Sequence, residues 1–198
     1  MTVRAILSHR SFSTVVLACL LSLLTGCAAT MDFFNKGPVR EDKTERRFAV
    51  IANDENIENV TLVNIRKANM KLRKAHINVV SYNGVVLLVG QVPNEELRQQ
   101  AAEVASNVKD VRQVNNALTA ELPVPASVRM YDSWLTTKVK TKLLFAPDID
   151  SDSIKVITEN GVVYLMGLMR QKEAERVAGI AQRTGGTQRI VKAFEYVD

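Results

Sequence analysis

The sequence predicts an α+β protein made of two tandem copies of one small domain, each with the element order αββαβ. Two observations carry this prediction. Residues 78–90 and 155–167 repeat one pattern, in which a β-like run reaches Asn-Gly and a second apolar run leads from it to a glycine. Each segment then precedes an amphipathic stretch and a closing β-like run. The hydrophobic content of 46% and the charged content of 24% suit globular domains.

The N-terminal residues 1–26 are predicted to be a lipoprotein signal peptide. A basic region precedes an apolar stretch at 15–24 that is too short to span a bilayer, which takes about 20 residues. The sequence Leu24-Thr25-Gly26-Cys27 resembles the lipobox of bacterial lipoproteins. That resemblance implies cleavage before Cys27 and acylation of Cys27, for example with palmitate. Ala28 then favours the outer membrane over the inner membrane. The alternative is an ordinary cleaved signal with a chance cysteine.

Charge and cysteine content exclude some classes of protein. After cleavage, 24 basic and 21 acidic residues would leave a net charge of +3, which is too mild to indicate a nucleic-acid-binding protein. Both cysteines, Cys19 and Cys27, lie near the N-terminus, so no disulfide and no cysteine metal site is expected further along the chain.

The predicted domain boundaries follow from the repeat. Residues 27–53 are expected to be the lipidated N-terminus and a tether, 54–122 the first domain, 123–128 a linker stiffened by two prolines, and 129–198 the second domain. Phe33 and Phe34 of the tether could dip into the membrane interface or serve only as spacer, and the sequence leaves both possibilities open.

The elements of each copy are predicted from local signals. The two Asn-Gly pairs predict type I′ hairpin turns, because both central residues of such a turn need positive φ. Asn94 after Pro93 marks the start of a helix. The predicted helices are 57–74, 95–106, 133–145 and 172–183, and the closing strands lie within 111–122 and 187–197.

No catalytic constellation is found in the sequence. His76 is the only histidine beyond the predicted signal peptide and opens a strand, where a structural role is expected. The cluster Asp148-Ile-Asp150-Ser-Asp152 lacks the glycine and the bidentate glutamate of a calcium loop, so a solvated turn is expected rather than a metal site. We therefore predict a non-enzymatic protein without cofactor or metal.

The predicted helix 133–145 carries the functional hypothesis. Leu135, Val139 and Leu143 fall on one arc that should face the sheet of the same domain. Trp134 and Phe145 share a neighbouring arc with lysines and Tyr131 beside it, and Asp132 is expected to cap the helix. Aromatic residues with lysines suit a bilayer interface. The alternative, which the residues alone favour, is that Trp134 packs against the first copy and the lysines are solvated.

The closest match in motif is to BON domains. It rests on His76-Ile-Asn-Val, on Val86-Leu-Leu-Val-Gly-Gln91, on Trp134-Leu-Thr-Thr-Lys-Val-Lys140, on Thr158-Glu-Asn-Gly161 and on Tyr164-Leu-Met-Gly-Leu168. With the lipobox, these segments make residues 54–198 resemble the family of dual-BON outer-membrane lipoproteins. In that family, the first helix of the second BON domain binds anionic phospholipids.

The resemblance implies a site, partners and a location. The implied partners are phosphatidylglycerol and cardiolipin, together with the β-barrel assembly machinery. The implied location is the periplasmic face of the outer membrane, enriched at the division septum, with a role in envelope integrity. The alternative is a periplasmic protein-interaction or chaperone-like scaffold that uses the same surface. The implied phospholipid-binding residues are Trp134, Leu135, Thr137, Lys138, Lys140, Thr141, Lys142 and Phe145.

Overall fold

The computed structural model describes residues 48–197, which contain two αββαβ repeats and confirm the predicted α+β fold. The predicted signal peptide, Cys27 and most of the predicted tether lie outside the described residues. The first repeat comprises α1 (Phe48–Ala68), α2 (Met70–Lys74), β1 (His76–Tyr82), β2 (Val85–Val92), α3 (Glu95–Ser106) and β3 (Gln113–Ala120). The second comprises α4 (Ala126–Leu144), a 3₁₀ turn (Ser151–Ser153), β4 (Ile154–Glu159), β5 (Val162–Met169), α5 (Gln171–Gln182) and β6 (Arg189–Tyr196).

Each repeat forms a three-stranded sheet whose middle strand is the second of the hairpin. β2 pairs antiparallel with β1 and parallel with β3, and β5 pairs in the same way with β4 and β6. The turn residues have positive φ, 52° and 75° at Asn83 and Gly84 and 48° and 73° at Asn160 and Gly161. These values confirm the hairpins predicted from Asn-Gly.

One face of each sheet is covered by the helices of its own repeat. In the first repeat, Ile57 and Ile65 of α1 and Leu97 of α3 pack with Val86 and Leu88 of β2. The second repeat has a matching core, in which Leu135, Val139, Val163, Leu165 and Val177 are buried. Each helix pair therefore shields only one side of its sheet.

The other faces of the two sheets pack against each other. Leu87 and Val89 of β2 share a hydrophobic cluster with Tyr164 and Met166 of β5, and Tyr82 of β1 completes it. This packing explains why all eight residues of β2 are buried although the helices reach one face only. All three clusters lie in the compact unit Lys43–Asp198, so this part of the chain holds what it needs to fold by itself.

Polar contacts at the rim of the sheet packing join the two repeats. The buried carboxylate of Glu159 accepts hydrogen bonds from the Gln91 amide at 2.8 Å and the Asn78 amide at 3.2 Å. His76 Nε2 lies 3.3 Å from the same carboxylate, which places the histidine in a structural contact. At the opposite end, Glu195 of β6 accepts from Asn83 at 3.1 Å. The turn of each hairpin thus meets the open end of the other sheet.

Two helices begin earlier than the sequence predicts. α1 starts at Phe48 rather than at residue 57 and ends at Ala68, because the side chain of Asn69 caps the separate helix α2. α4 starts at Ala126, inside the predicted linker, rather than at residue 133. Pro125 immediately precedes it with φ −56°, so this proline ends the linker and leads directly into the helix. By contrast, α3 has the predicted bounds, with Asn94 capping it.

Candidate functional site

Helix α4 is fixed to its sheet by a buried aspartate. The carboxylate of Asp132 accepts hydrogen bonds from the backbone N–H groups of Asn160, at 2.8 Å, and Gly161, at 2.9 Å. The prediction that Asp132 caps the helix is wrong, because it lies within α4, buried against the hairpin turn. In the first repeat, Asp54 of α1 accepts from the N–H groups of Asn83 and Gly84 in the same way.

The inward face of α4 is the predicted one. Leu135, Val139 and Leu143 are fully buried in the core of the second repeat. The resemblance placed Leu135 among the phospholipid-binding residues, and this assignment is wrong for the folded chain, because none of its side chain reaches the surface. Its role is to anchor the helix that presents the other residues.

The outward face of α4 is apolar and aromatic. Trp134 is 50% exposed, Phe145 just after the helix is 79% exposed, and Tyr131 is 46% exposed. The Trp134 and Tyr131 rings lie 5.3 Å apart between centroids, so the indole packs on its own helix rather than in the core between the repeats. Met130 and Leu144 extend the surface at 74% and 61% exposure. The sequence analysis missed both, although Met130 lies four residues before Trp134, on the same side of a helix.

The lysines beside this surface differ in their contacts. Lys138 Nζ lies 4.5 Å from the Trp134 ring centroid and donates to the Gly185 carbonyl at 3.0 Å. Lys142 Nζ donates to the Arg183 carbonyl at 3.4 Å. Both ammonium groups therefore lie near the carbonyls that follow α5. Lys140 lies on the other flank of α4, is exposed, and has no hydrogen bond or ion pair with any residue in 48–197.

The hydroxyl groups of α4 bond to their own helix. Ser133, Thr137 and Thr141 each donate to the carbonyl four residues earlier, at 2.9, 3.0 and 2.9 Å. Their hydroxyl protons are therefore already satisfied, which lowers the free energy needed to take this face out of water. Their oxygens remain available as acceptors.

A cleft of about 410 Å³ opens on the Lys140 flank, between α4, the Ser151–Ser153 turn and β4. Its floor is apolar, made by buried side chains that include Leu143 and Ile154. Its rim is polar and carries Thr137, Lys140, Thr141, Ser151 and Asp152.

The first repeat carries no such surface on the matching helix. The buried residues Asp54, Ile57, Thr61 and Ile65 of α1 have the same spacing as Asp132, Leu135, Val139 and Leu143 of α4. In this register, Asn56 occupies the position of Trp134, and Asn53 that of Tyr131. The two helices therefore bury similar faces but present different ones.

The acidic cluster after α4 forms a local turn. Asp150 caps the 3₁₀ turn by accepting from the Asp152 N–H at 3.2 Å and from the Ser153 hydroxyl. Among residues 48–197, no group of three or more histidine, cysteine, aspartate or glutamate side chains is arranged to hold a metal ion. The same part of the chain contains no helix long and apolar enough to cross a bilayer.

The fold and this surface together define a duplicated α+β binding module. The chain belongs to the BON-domain family, whose profile matches residues 53–121 and 131–198. It is 34% identical over 175 residues to the outer membrane lipoprotein DolP of Haemophilus influenzae, covering 88% of this chain and 91% of that protein. The resemblance to dual-BON lipoproteins is thereby confirmed.

Other relatives share less of the chain. The 21 kDa hemolysin of Actinobacillus pleuropneumoniae is 34% identical over 144 residues, which cover 73% of this chain and 74% of that protein. The osmotically-inducible protein Y of Escherichia coli is 30% identical over 122 residues, covering 60% of this chain and 61% of that protein.

Proposed function

We propose that this chain is a non-enzymatic lipoprotein of the outer membrane, anchored through Cys27 on the periplasmic face, whose second BON domain docks on anionic phospholipids through the docking surface. The docking surface is the outward face of α4, namely Met130, Tyr131, Trp134, Thr137, Lys138, Lys140, Thr141, Lys142, Leu144 and Phe145. The observation that carries the proposal is that aromatic and apolar side chains are exposed together on a helix flanked by lysines.

The side chains of the docking surface suit the interface of a bilayer rather than its interior. Trp134 and Tyr131 have an apolar body and a polar tip, which favours the headgroup level, while Phe145 and Leu144 can enter the acyl boundary. Each lysine near an anionic membrane contributes about 1 kcal/mol. Attraction of this size is reversible and sensitive to salt, because exposed charges are screened over about 10 Å at 0.1 M.

The two membrane contacts have separate roles in this proposal. A diacyl anchor on Cys27 gives stable residence, since each buried CH₂ contributes about 0.8 kcal/mol. The docking surface adds a preference for anionic lipid. By likeness to DolP, the protein supports envelope integrity, concentrates at the division septum and contacts the β-barrel assembly machinery.

A protein-binding scaffold is the second candidate, since an exposed apolar patch with Trp and Tyr also marks protein interfaces. The flanking lysines and the internally bonded hydroxyls favour a lipid surface, because both lower the free energy of contact with an anionic, poorly hydrated layer.

The two candidates are separated by co-sedimentation of residues 28–198 with vesicles. We expect binding to vesicles that contain phosphatidylglycerol and little binding to pure phosphatidylcholine. Trp134→Glu should abolish the binding, because it places a negative charge at the centre of the docking surface. Asn56→Glu is the matched control, since it puts the same charge at the equivalent position of α1 and should leave binding intact.

The wild-type protein also carries its own reporter. Trp134 is the only tryptophan of the chain, so its emission should shift to the blue when it enters the interface. Failure of the wild-type protein to sediment with anionic vesicles at moderate salt would refute lipid docking and leave the scaffold. Equal losses in Trp134→Glu and Asn56→Glu would show that the docking surface has no special role.

A further inference from the structure

The cleft beside Lys140 has a hydrogen-bonding character of its own. Thr137 and Thr141 donate their hydroxyl protons to helix carbonyls at 3.0 and 2.9 Å, so toward the cleft their oxygens can only accept. The Asp152 carboxylate at the rim accepts as well. Among the rim side chains, Lys140 is the charged donor, and Ser151 can either donate or accept.

The charged groups of the rim are unpaired within the part of the chain that the structure describes. Neither the Lys140 ammonium nor the Asp152 carboxylate has a hydrogen bond or ion pair with a residue in 48–197, and the two do not pair with each other. Both side chains are exposed. One positive charge and several acceptors therefore face a common cleft without internal partners.

From this arrangement, and resting on the proposed function, we infer that the cleft is a headgroup subsite for phosphoglycerol. The phosphodiester of the headgroup, which offers acceptors only, pairs with Lys140. The glycerol hydroxyls donate to Asp152 and to the oxygens of Thr137 and Thr141. The volume of about 410 Å³ lies in the range of small-ligand sites.

Two other headgroups fit less well. A headgroup that ends at the phosphate would leave the carboxylate and the threonine oxygens facing a second set of acceptors. A phosphoethanolamine headgroup has donors but no net charge, while Lys138, Lys140 and Lys142 outnumber Asp152 around the docking surface. The net charge of the surface thus favours an anionic headgroup, and the acceptors favour one with hydroxyl groups.

The test compares vesicles of two lipids that share charge and phosphodiester but differ in hydroxyls. Residues 28–198 are titrated with phosphatidylcholine vesicles that contain equal fractions of either phosphatidylglycerol or phosphatidylmethanol, and binding is followed by Trp134 emission. We expect tighter binding to phosphatidylglycerol by about threefold to tenfold, the effect of one or two neutral hydrogen bonds.

Variants assign that preference to the cleft. Asp152→Ala and Thr141→Val should each bring the ratio of the two affinities toward one. Asp148→Asn is the matched control, because it removes one negative charge from a side chain that is 86% exposed and does not line the cleft. It should change both affinities alike and keep the ratio.

The outcomes separate this inference from the proposed function. Equal binding of the wild-type protein to both anionic lipids would overturn the headgroup subsite and leave membrane docking standing. A ratio that survives in both Asp152→Ala and Thr141→Val would also overturn the subsite. Binding to phosphatidylethanolamine as tight as to phosphatidylglycerol would assign the cleft to an ammonium group instead. Absence of binding to every vesicle would refute docking itself, and the subsite with it.

Discussion

Replacing Asp132 by asparagine tests how α4 is held in place. The two carboxylate oxygens of Asp132 accept from Asn160 N at 2.8 Å and from Gly161 N at 2.9 Å, in a site where Asp132 is 3% exposed. An asparagine keeps one oxygen, so it can satisfy one N–H group, and its own amide N–H₂ must face the other. One backbone donor is then buried without a partner, at a cost of about 2 kcal/mol.

The remaining bond is weakened too. A neutral amide oxygen is a poorer acceptor than a carboxylate, which removes about 1 kcal/mol more. We therefore expect Asp132→Asn to lower the free energy of unfolding by about 3 kcal/mol, a large part of the 5–15 kcal/mol that is usual for folded domains. The assay is urea denaturation of residues 28–198 followed by far-UV circular dichroism. One transition is expected, since both repeats share the core between the sheets.

The control for this variant is Asp148→Asn. Asp148 is 86% exposed and lies 3.9 Å from Arg176, so its loss should change stability by less than about 0.5 kcal/mol. A similar small change in Asp132→Asn, with an unchanged dependence on urea, would refute the assignment of Asp132 as the anchor of the helix.

Two further predictions concern the cores of the repeats. The hydroxyl of Thr61 is buried without a hydrogen-bond partner in residues 48–197, and the matching residue of the second repeat is Val139; Thr61→Val should raise the urea midpoint by the equivalent of about 1 kcal/mol, and a lower midpoint would contradict it. Burial raises the pKa of the Tyr164 phenol above its ordinary value of 10.0, an effect that Arg189 opposes and Glu159 reinforces. The folded state thus retains the phenolic proton better than the unfolded chain, and its stability should fall as the pH rises above 10 toward the raised pKa. Thermal melts across this range should show a shallower decline for Tyr164→Phe, and equal slopes would exclude Tyr164 as the cause.

The parts of the fold that depend on local chemistry are predictable from the sequence. Asn83-Gly84 and Asn160-Gly161 specify their turns because few other residues accept positive φ at both positions. Asn94 likewise sets the start of α3 with its side chain, which accepts from Leu97 N. These signals act within a few residues, and the structure confirms them.

The errors concern residues whose partners lie far along the chain. Asp132 has the composition of a helix cap, and only the position of the Asn160 turn, 28 residues away, shows that it anchors the middle of a longer helix. The face-to-face packing of the sheets is also invisible locally. The continuous apolar run of β2 indicates burial on both faces, yet it does not show that β5 supplies the second cover.

The duplication accounts for the one-sidedness of the proposed docking. Each repeat has helices on one sheet face only, so a single copy would expose the apolar face that now lies between the sheets. Pairing the copies buries both of these faces and leaves α1 and α4 on opposite outer sides. Because α1 has Asn53 and Asn56 where α4 has Tyr131 and Trp134, only one of those sides suits a membrane interface. A membrane docked on α4 therefore leaves the first repeat facing the aqueous space, with its helices accessible to other proteins of the envelope.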